Sequence, residues 1–268
     1  MAIAQSTEEQ NQGAYMSLSH VPIPVQTQIA RCVTEIRLIL GASCALVVHG
    51  SIALDDFHLG QSDIDILGFV DLPVTAAQLR GVMEVLVRHS LQPAPIEFSL
   101  LERKLLAAWV HPAPYLVHYG ESWRAAMTVA LTDPQHAWLD VRHDPDLSVH
   151  LAVAHARGIV VAGEVMIPAP TVADAWAAVW YDIKDAVSQV DDQPISVILN
   201  LCRTLWWRQT GQVVSKSAGG ALVLPQLAGD AAQVVTQVLA VRRGDVAELP
   251  ASTVLHRVVA ELLGRVGS

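Results

Sequence analysis

Two strand-like segments joined through a glycine–serine turn constrain the fold of this chain more than any other feature. The first is the apolar run 44–48, which is followed by His49-Gly50-Ser51. The second is Asp63-Ile64-Asp65, which leads into the apolar residues 66–70. Because side chains two residues apart in a strand point to the same face, the pattern predicts that Asp63 and Asp65 project together.

Paired carboxylates next to a glycine–serine turn indicate phosphate chemistry. Two adjacent carboxylates repel each other unless a cation lies between them, and hard oxygen ligands suit Mg²⁺ that carries a substrate's phosphates. The backbone N–H groups and the hydroxyl of Gly50-Ser51 can hold a phosphate. In the alternative interpretation, Asp63 caps a turn and Asp65 is a solvated strand residue. The combination favours phosphoryl or nucleotidyl transfer.

Glu97 is a third candidate carboxylate. It lies in a strand-like segment whose alternation places it on the face opposite Ile96 and Phe98. If this strand neighbours that of Asp63 and Asp65, Glu97 joins them, as a metal ligand or as the general base that accepts a proton from an attacking hydroxyl. An exposed strand glutamate is the alternative.

The amino-terminal half alternates helix and strand patterns. The periodicity predicts helices over 25–40 and 75–90, the second capped by Thr75, and strands over 45–49, 64–70 and 96–101. This alternation predicts an α+β domain with a mixed sheet flanked by helices. Residues 103–145 show few clear periods and are interpreted as a linker and interdomain surface.

The carboxyl-terminal half has helical patterns throughout. They cover 147–158, 171–190 with Thr171 as cap, 194–211, 220–244 and 252–263. Helices of this length with short connections form a bundle. The expected organisation is a flexible tail over residues 1–20, an α+β domain with an interdomain segment over 21–144, and a helical domain over 145–268.

Composition excludes several classes of function. A formal net charge of −9 argues against nucleic acid as a partner and favours a small cationic co-substrate. No apolar run approaches the roughly 18 residues that a membrane span needs, and no signal peptide is recognisable. Three widely spaced cysteines fit a reducing compartment. We therefore expect a cytoplasmic protein without a membrane partner, as a monomer rather than an oligomer.

Several segments resemble a known group of transferases. His49-Gly50-Ser51 with Ser62-Asp63-Ile64-Asp65 resembles the signature of the DNA polymerase β-like nucleotidyltransferases. Other segments are similar to the streptomycin/spectinomycin adenylyltransferases, which modify aminoglycosides. Residues 144–158 are similar to the first helix of the family's helical domain. Leu199–Arg203 and Thr210–Lys216 together are similar to its nucleotide-contacting segment. Residues 119–123 resemble its Gly-Glu-Trp motif with one residue inserted.

The resemblance implies a nucleotidyltransferase domain over 21–144 and a helical domain over 145–268 that binds substrate and ATP. It implies that Asp63 and Asp65 hold Mg²⁺, that Gly50 and Ser51 contact the triphosphate of ATP, and that Glu97 activates the hydroxyl of the antibiotic.

The resemblance also implies functional residues outside this cluster. Lys216 would reach the ATP phosphates with support from Arg203, and Trp123 would pack against the drug. Lys216 is predicted to lie in a loop after Gly211 that closes on a ligand. Each assignment has an alternative: Lys216 as a surface lysine, Arg203 in an internal ion pair, and Trp123 as a core residue.

Four acidic residues are candidates for binding a cationic acceptor. Ammonium and guanidinium groups pair with carboxylates held near aromatic faces, and Trp176 and Trp180 lie on the preceding turns. We expect one or two of the four to contact the acceptor, the alternative being a solvated helix end. The candidates are Asp182, Asp185, Asp191 and Asp192.

Some features depart from the family pattern. Residues 217–222 lack the acidic residue and the tryptophan that many members have after the lysine, and no tyrosine follows Tyr181. The histidines show no compact metal-ligand spacing and are interpreted as surface or interdomain residues. They are His118, His136, His143, His150 and His155.

These observations support the hypothesis of Mg²⁺-dependent transfer of AMP from ATP to a hydroxyl of an aminoglycoside or aminocyclitol, of the streptomycin or spectinomycin type, giving antibiotic resistance. Two alternatives remain open. One is a nucleotidyltransferase that modifies a protein or tRNA, and the other is a nucleotide-binding sensor without catalytic activity.

Overall fold

The computed structural model describes residues 18–267, and the chain divides into two compact units with the boundary between Asp174 and Ala175. The expected boundary at 144/145 therefore falls inside the first unit. Most of the expected tail, residues 1–17, lies outside the described residues. Residues 18–20 form a turn, and His20 Nε2 lies 2.9 Å from the carbonyl oxygen of Ile52.

The first unit contains a mixed five-stranded sheet in the order β5-β3-β2-β1-β7. Strands β2 and β3 are parallel, and the other neighbouring pairs are antiparallel. The α+β class with a mixed sheet is confirmed. The strands of the sheet are β1 (Ala45–Val48), β2 (Ile64–Val70), β3 (Ile96–Glu102), β5 (Val117–Tyr119) and β7 (Ile159–Ala162); β4 (Ala113–Tyr115) and β6 (Arg142–Asp144) form a separate antiparallel pair.

Helices cover both faces of this sheet. On one face, α1 (Ile23–Leu40) and α3 (Ala76–His89) share a core with Ile64, Ile66 and Phe98. Thr75 caps α3 as expected: its hydroxyl accepts the N–H of Gln78 at 3.2 Å, and the Gln78 side chain accepts the N–H of Thr75 at 2.9 Å. The short helix α2 (Gly50–Ala53) follows β1 directly.

The opposite face is covered by α5 (Leu147–Arg157), whose Leu147 and Leu151 pack against Leu67 and Phe69. Strand residues alternate between faces, so Asp65, which precedes Leu67 by two positions, lies on the α5 face. The α5 face therefore has an apolar cluster at Leu67 and Phe69 and, next to it, carboxylates near the amino-terminal end of α5.

The region 103–145, which the weak periodicity led us to interpret as a linker and interdomain surface, contains regular secondary structure. It contains β4, β5, β6, helix α4 (Arg124–Thr132) and two short 3₁₀ turns, 103–106 and 121–123. Strand β7 follows α5 and pairs with β1, so residues 145–162 complete the sheet of the first unit. Short strands of three residues leave too few positions for a clear period in the sequence.

The second unit is helical. Helix α8 packs against α9, α10 and α11. Two helices predicted as continuous are each interrupted: 171–190 breaks after Ile183, and 220–244 breaks at a 3₁₀ turn that contains Pro225, which has no N–H to continue a helix. The helices are α6 (Val172–Ile183), α7 (Ala186–Gln189), α8 (Pro194–Thr210), α9 (Lys216–Val223), α10 (Gly229–Arg243) and α11 (Ser252–Gly267).

No helix within residues 18–267 is long and apolar enough to cross a membrane.

Candidate active site

The parallel pairing of β2 and β3 brings Asp65 and Glu97 together. The two residues are direct partners in the register, and both are half-buried between buried neighbours. Partners in a parallel register point to the same face of the sheet, so both carboxylates lie on the α5 face. The expected carboxylate cluster requires that the strands of Asp65 and Glu97 are neighbours, and the pairing of β2 with β3 meets this condition.

The turn after β1 lies directly against Asp65. The N–H of His49 donates to the backbone oxygen of Asp65 at 2.9 Å. Gly50 has φ +61°, and a Cβ at this position would lie 1.7 Å from Asp65 Oδ2. Only glycine allows this approach of the turn to the carboxylate. The close approach to Asp65 thus explains why glycine occupies position 50 of the motif.

Ser51 provides an observation that points to a ligand. Its hydroxyl is buried and makes no hydrogen bond within the described residues. A buried hydroxyl without a partner is costly, and such groups in native proteins commonly serve a bound molecule. A phosphate oxygen next to Ser51 would satisfy this hydroxyl.

Asp63 lies just outside the strand that carries Asp65. It is exposed and lies one residue before β2, in agreement with the strand predicted over 64–70. Within residues 18–267, no three His, Cys, Asp or Glu side chains are arranged to hold a metal ion. Mg²⁺ sites in nucleotide enzymes often use only one or two carboxylates, with substrate phosphates and water as the remaining ligands. The donor set present suits that kind of site.

His150 of α5 lies among these carboxylates. Its Nε2 is 3.7 Å from Glu97 Oε1, and its side chain is 17% exposed. Burial alone would lower the pKa of His150, but the negative charges of Glu97, Asp146 and Asp65 outweigh it and raise the pKa above its ordinary value. This shift favours the protonated, positively charged form of His150 beside the candidate base. The interpretation of His150 as a surface or interdomain residue did not include this position beside Glu97.

Asp146 lies at the beginning of α5, beside His150. Burial raises the pKa of its carboxyl above the ordinary value, although the nearby His150 opposes this shift. The N–H of Asp146 donates to Asp144 Oδ1 at 3.1 Å, while its own Oδ1 is buried without a hydrogen bond in the described part of the chain. The start of α5 thus contributes two further acidic groups to the site.

His118 connects the site to Trp123. Its Nδ1 lies 2.9 Å from Ser99 Oγ and 3.5 Å from Asp144 Oδ2, and burial lowers the pKa of this histidine. The Trp123 ring meets the His118 ring edge-on at 6.4 Å and is 44% exposed. His118 is therefore not a surface residue, and Trp123 presents part of its ring to solvent near the sheet edge.

The 3₁₀ turn that carries Trp123 is fixed by Glu121. Its carboxylate accepts hydrogen bonds from the Ser90 hydroxyl and, at 2.9 Å, from the Tyr119 hydroxyl. Arg124 donates to the Tyr119 hydroxyl at 3.0 Å. These bonds anchor the segment that resembles the family's Gly-Glu-Trp.

In the second unit, Lys216 and Arg203 are held by polar side chains of α8. Lys216 is the first residue of α9, not part of a loop, and its Nζ donates to Ser196 Oγ at 2.5 Å. Arg203 Nε donates to Asn200 Oδ1 at 2.5 Å. The prediction of a loop lysine is wrong because Ser215 accepts the N–H of Ala218 and so starts α9 immediately before Lys216.

The four acidic candidates differ in their surroundings. Asp182 Oδ2 accepts a hydrogen bond from Asn200 Nδ2 at 2.5 Å. Asp191 accepts hydrogen bonds from Ser252 Oγ at 2.6 Å and His256 Nε2 at 2.8 Å, and these bonds lower its pKa. All four are exposed; Asp185 precedes α7, and Asp192 follows Asp191 in the connection to α8.

Sequence reasoning missed His150, Asp146, Asp144 and His118 as members of the site. A signal for the first two was present: Asp146 and His150 are four residues apart at the start of a helical pattern, a spacing that places both on one helix face. His118 had no such signal, because the pairing of β3 with β5 brings it beside Ser99.

Two comparisons with known proteins found matches. Residues 164–263 match the family model described as "Aminoglycoside adenylyltransferase, C-terminal domain". This part of the chain is therefore similar to the carboxyl-terminal domain of the aminoglycoside adenylyltransferases.

A solved structure shares the fold of this chain over nearly its whole length. It is the spectinomycin adenyltransferase AAD(9) from Enterococcus faecialis, solved with ATP and spectinomycin. The TM-score is 0.76 at 18% sequence identity, and the match covers 91% of this chain and 99% of the other. No sequence match was found among curated proteins. At this identity, the likeness establishes the fold.

Proposed function

We propose that this enzyme transfers AMP from ATP to a hydroxyl group of an aminoglycoside or aminocyclitol antibiotic. The observation that carries the proposal is the register of β2 and β3, which sets Asp65 beside Glu97 and against the Gly50-Ser51 turn. The family of the carboxyl-terminal domain supports the same reaction class. The relative of known structure, which was solved with ATP and spectinomycin, supports both substrates.

The nucleotide would bind at the turn and the carboxylates. The unsatisfied Ser51 hydroxyl and the backbone of Gly50 suit a phosphate oxygen. Asp63 and Asp65 would hold Mg²⁺, which when bound offsets the negative charge of the triphosphate. Lys216 and Arg203 are the cations of the second unit that we assign to the ATP phosphates.

Glu97 is the proposed general base. It accepts the proton of the acceptor hydroxyl as the oxygen attacks the α-phosphorus, a new oxygen–phosphorus bond forms, and the bond to pyrophosphate breaks. His150, 3.7 Å from Glu97, lies on the same face of the sheet and limits where the carboxylate can point. Asp65 and Glu97 are register partners, but the proposal gives them different roles: Asp65 would hold Mg²⁺, and Glu97 would accept the proton.

A cationic acceptor fits the acidic character of the chain. The formal net charge is −9, and the candidates for binding the acceptor are Trp123 and the four carboxylates at 182, 185, 191 and 192. Of these, Asp182 has its carboxylate oriented by an amide on the neighbouring helix, which makes it the strongest candidate. A positively charged drug would pair with such a carboxylate.

The test is pyrophosphate release from ATP and Mg²⁺ with a panel that includes spectinomycin and streptomycin. We expect release with at least one drug and loss of release in Asp65→Asn. The matched control is Asp71→Asn. Asp71 lies just beyond the far end of β2, and its exposed carboxylate pairs with Arg103 at 3.4 Å. No release with any drug, together with label from ATP appearing on protein or tRNA in a cell lysate, would replace the proposed acceptor.

A further inference from the structure

A polar stripe on α8 connects three of the charged groups assigned to the ligands. Ser196, Asn200 and Arg203 are spaced by four and three residues, so they lie along one helix face. Ser196 accepts from Lys216 at 2.5 Å, and Asn200 bridges Arg203 and Asp182 at 2.5 Å on each side. We name Ser196, Asn200 and Arg203 the α8 stripe.

Asn200 is the central member of the α8 stripe. Its amide oxygen accepts from the guanidinium of Arg203, and its amide nitrogen donates to the carboxylate of Asp182. An amide can bond to a cation and an anion at the same time, because it offers one acceptor and two donors. Both bonds involve a charged partner, and bonds of this kind are the stronger ones in proteins.

Such a bridge determines the orientation of two side chains at once. Long exposed side chains such as arginine otherwise lose rotamer entropy when they bind a ligand. Asn200 bonds to both Arg203 and Asp182, so a restriction of one of these side chains also restricts the other. It also occupies the space between opposite charges, which would neutralise each other in a direct ion pair.

Close packing of α9 fixes the other side of the stripe. A Cβ added at Gly219 would lie 2.5 Å from Arg203 Cα. The absence of a side chain at Gly219 therefore allows α9, which begins at Lys216, to approach the backbone of α8 at Arg203. The two cations assigned to the nucleotide are thus positioned by one helix contact and by the α8 stripe.

We propose that Asn200 is a positioning residue that couples acceptor binding at Asp182 to nucleotide binding at Arg203. The inference rests on the proposed function. When ATP orders Arg203, the bridge orders Asp182, and the acceptor then binds a carboxylate that needs no further restriction. Asn200 contacts neither substrate in this proposal. Its effect passes through hydrogen bonds inside the second unit.

The test measures the dissociation constants of spectinomycin and streptomycin by calorimetry, with and without the uncleavable analogue α,β-methylene-ATP and Mg²⁺. The coupling factor is the ratio of the two constants for one drug. We expect Asn200→Ala to lower this factor about tenfold, which is the loss of about one hydrogen bond to a charged group. In turnover assays the KM for the drug rises more than kcat falls.

The control is Gln209→Ala, which removes another exposed amide of α8. The Gln209 side chain exchanges hydrogen bonds with Gln226 at 2.9 and 3.1 Å. We expect a small change of thermal stability and an unchanged coupling factor. A structural role of Asn200 alone would make the two variants behave alike, and that result would overturn the proposal.

A rescue variant separates the bridge from the charge. In the double variant Asp182→Asn with Asn200→Asp, position 182 can donate to position 200, and Arg203 still donates to position 200. We expect the coupling factor to recover partly relative to Asn200→Asp alone, in which two carboxylates face each other. Absence of recovery would overturn the bridge.

The failure of each idea looks different. Wild-type enzyme that adenylylates neither drug nor any other member of the panel removes the proposed function, and this inference with it. Wild-type enzyme that modifies a drug, with an Asn200→Ala variant whose coupling factor equals that of the wild type, removes only the role of Asn200.

Discussion

The two units hold their candidate functional groups in different ways. In the first unit, Asp65 and Glu97 belong to adjacent parallel strands, and their separation is determined by the backbone register. In the second unit, Asp182, Arg203 and Lys216 are oriented by side-chain hydrogen bonds between helices. Backbone pairing resists small changes in sequence, whereas a side-chain network depends on each member.

This difference suits the proposed division of tasks. A general base must stay within hydrogen-bond distance of the proton that it accepts, and a rigid sheet provides that precision. Groups that bind a charged antibiotic or close on a triphosphate can tolerate adjustment. We therefore expect variants in the first unit to affect kcat strongly and variants in the second unit to affect mainly affinity or stability.

The largest effect is expected for Glu97→Gln. The variant keeps the shape of the side chain but cannot accept the proton, so kcat should fall about 10²- to 10⁴-fold, while ATP binding stays close to that of the wild type. The measurement is pyrophosphate release with the best drug of the panel. The control is Glu102→Gln at the other end of β3, where the carboxylate pairs with Lys104 at 2.6 Å. Unchanged turnover in Glu97→Gln would exclude Glu97 as the base.

Gly50→Ala tests whether the turn must approach Asp65. The added Cβ would lie 1.7 Å from Asp65 Oδ2 at a residue with φ +61°. Displacing a catalytic carboxylate by about 1 Å can cost about 100-fold in rate, and the left-handed backbone adds about 1–2 kcal/mol of destabilisation. Turnover and the free energy of unfolding are the measurements.

Gly60→Ala is the control for Gly50→Ala. Gly60 has φ +86° and open space around its Cβ position, so this variant has the backbone strain without the clash. It should lose a similar free energy of unfolding and retain its turnover. Equal loss of turnover in both variants would show that strain, and not the contact with Asp65, explains the effect.

The sequence predicted the strand-borne part of the site and missed most of the rest. Alternation in residues 64–70 and 96–101 sufficed to place Asp65 and Glu97 on strands, because strand periodicity is local. The contributions of His150 and His118 depend on which helix covers which face and on which strand follows β3. Those are long-range contacts. The local spacing of Asp146 and His150 places both on one helix face but does not say which face of the sheet that helix covers.

The helices show the same limit. Patterns at 147–158 and 194–211 predicted α5 and α8 to within a residue at each end, because proline and glycine mark their boundaries. The start of α9 at Lys216 was missed because Ser215 was not considered as a cap. A polar residue followed by small residues resembles a loop until the cap is recognised.

Gly219→Ala tests the close helix contact in the second unit. Alanine gains up to about 1 kcal/mol of helix propensity, but a Cβ 2.5 Å from Arg203 Cα meets backbone that cannot move aside easily. Overpacking costs about 1–3 kcal/mol, so a net destabilisation is expected. Displacement of Arg203 should also weaken binding of α,β-methylene-ATP. Stability is measured by denaturant unfolding.

Gly264→Ala is the matched control for Gly219→Ala. Gly264 lies in α11, and its Cβ position has no neighbour within 4 Å. This variant should gain about 0.5–1 kcal/mol from helix propensity, with no change of nucleotide affinity. A stabilising effect of Gly219→Ala as well would contradict the close approach of α9 to α8.

The smallest effect is expected for Asp191→Asn, which tests whether Asp191 serves structure instead of the acceptor. Hydrogen bonds from Ser252 and His256 lower the pKa of this exposed carboxyl below its ordinary value. A lowered native pKa stabilises the fold above the ordinary carboxyl pKa, and this contribution is lost as the pH falls through the native value. The variant should therefore have a slightly lower Tm than the wild type near neutral pH, and the two curves should converge in acid. The neighbouring variant Asp192→Asn, which also removes one exposed carboxylate, is the control for the change of net charge. A raised KM for the drug in Asp191→Asn, with an unchanged Tm at neutral pH, would instead assign Asp191 to the acceptor.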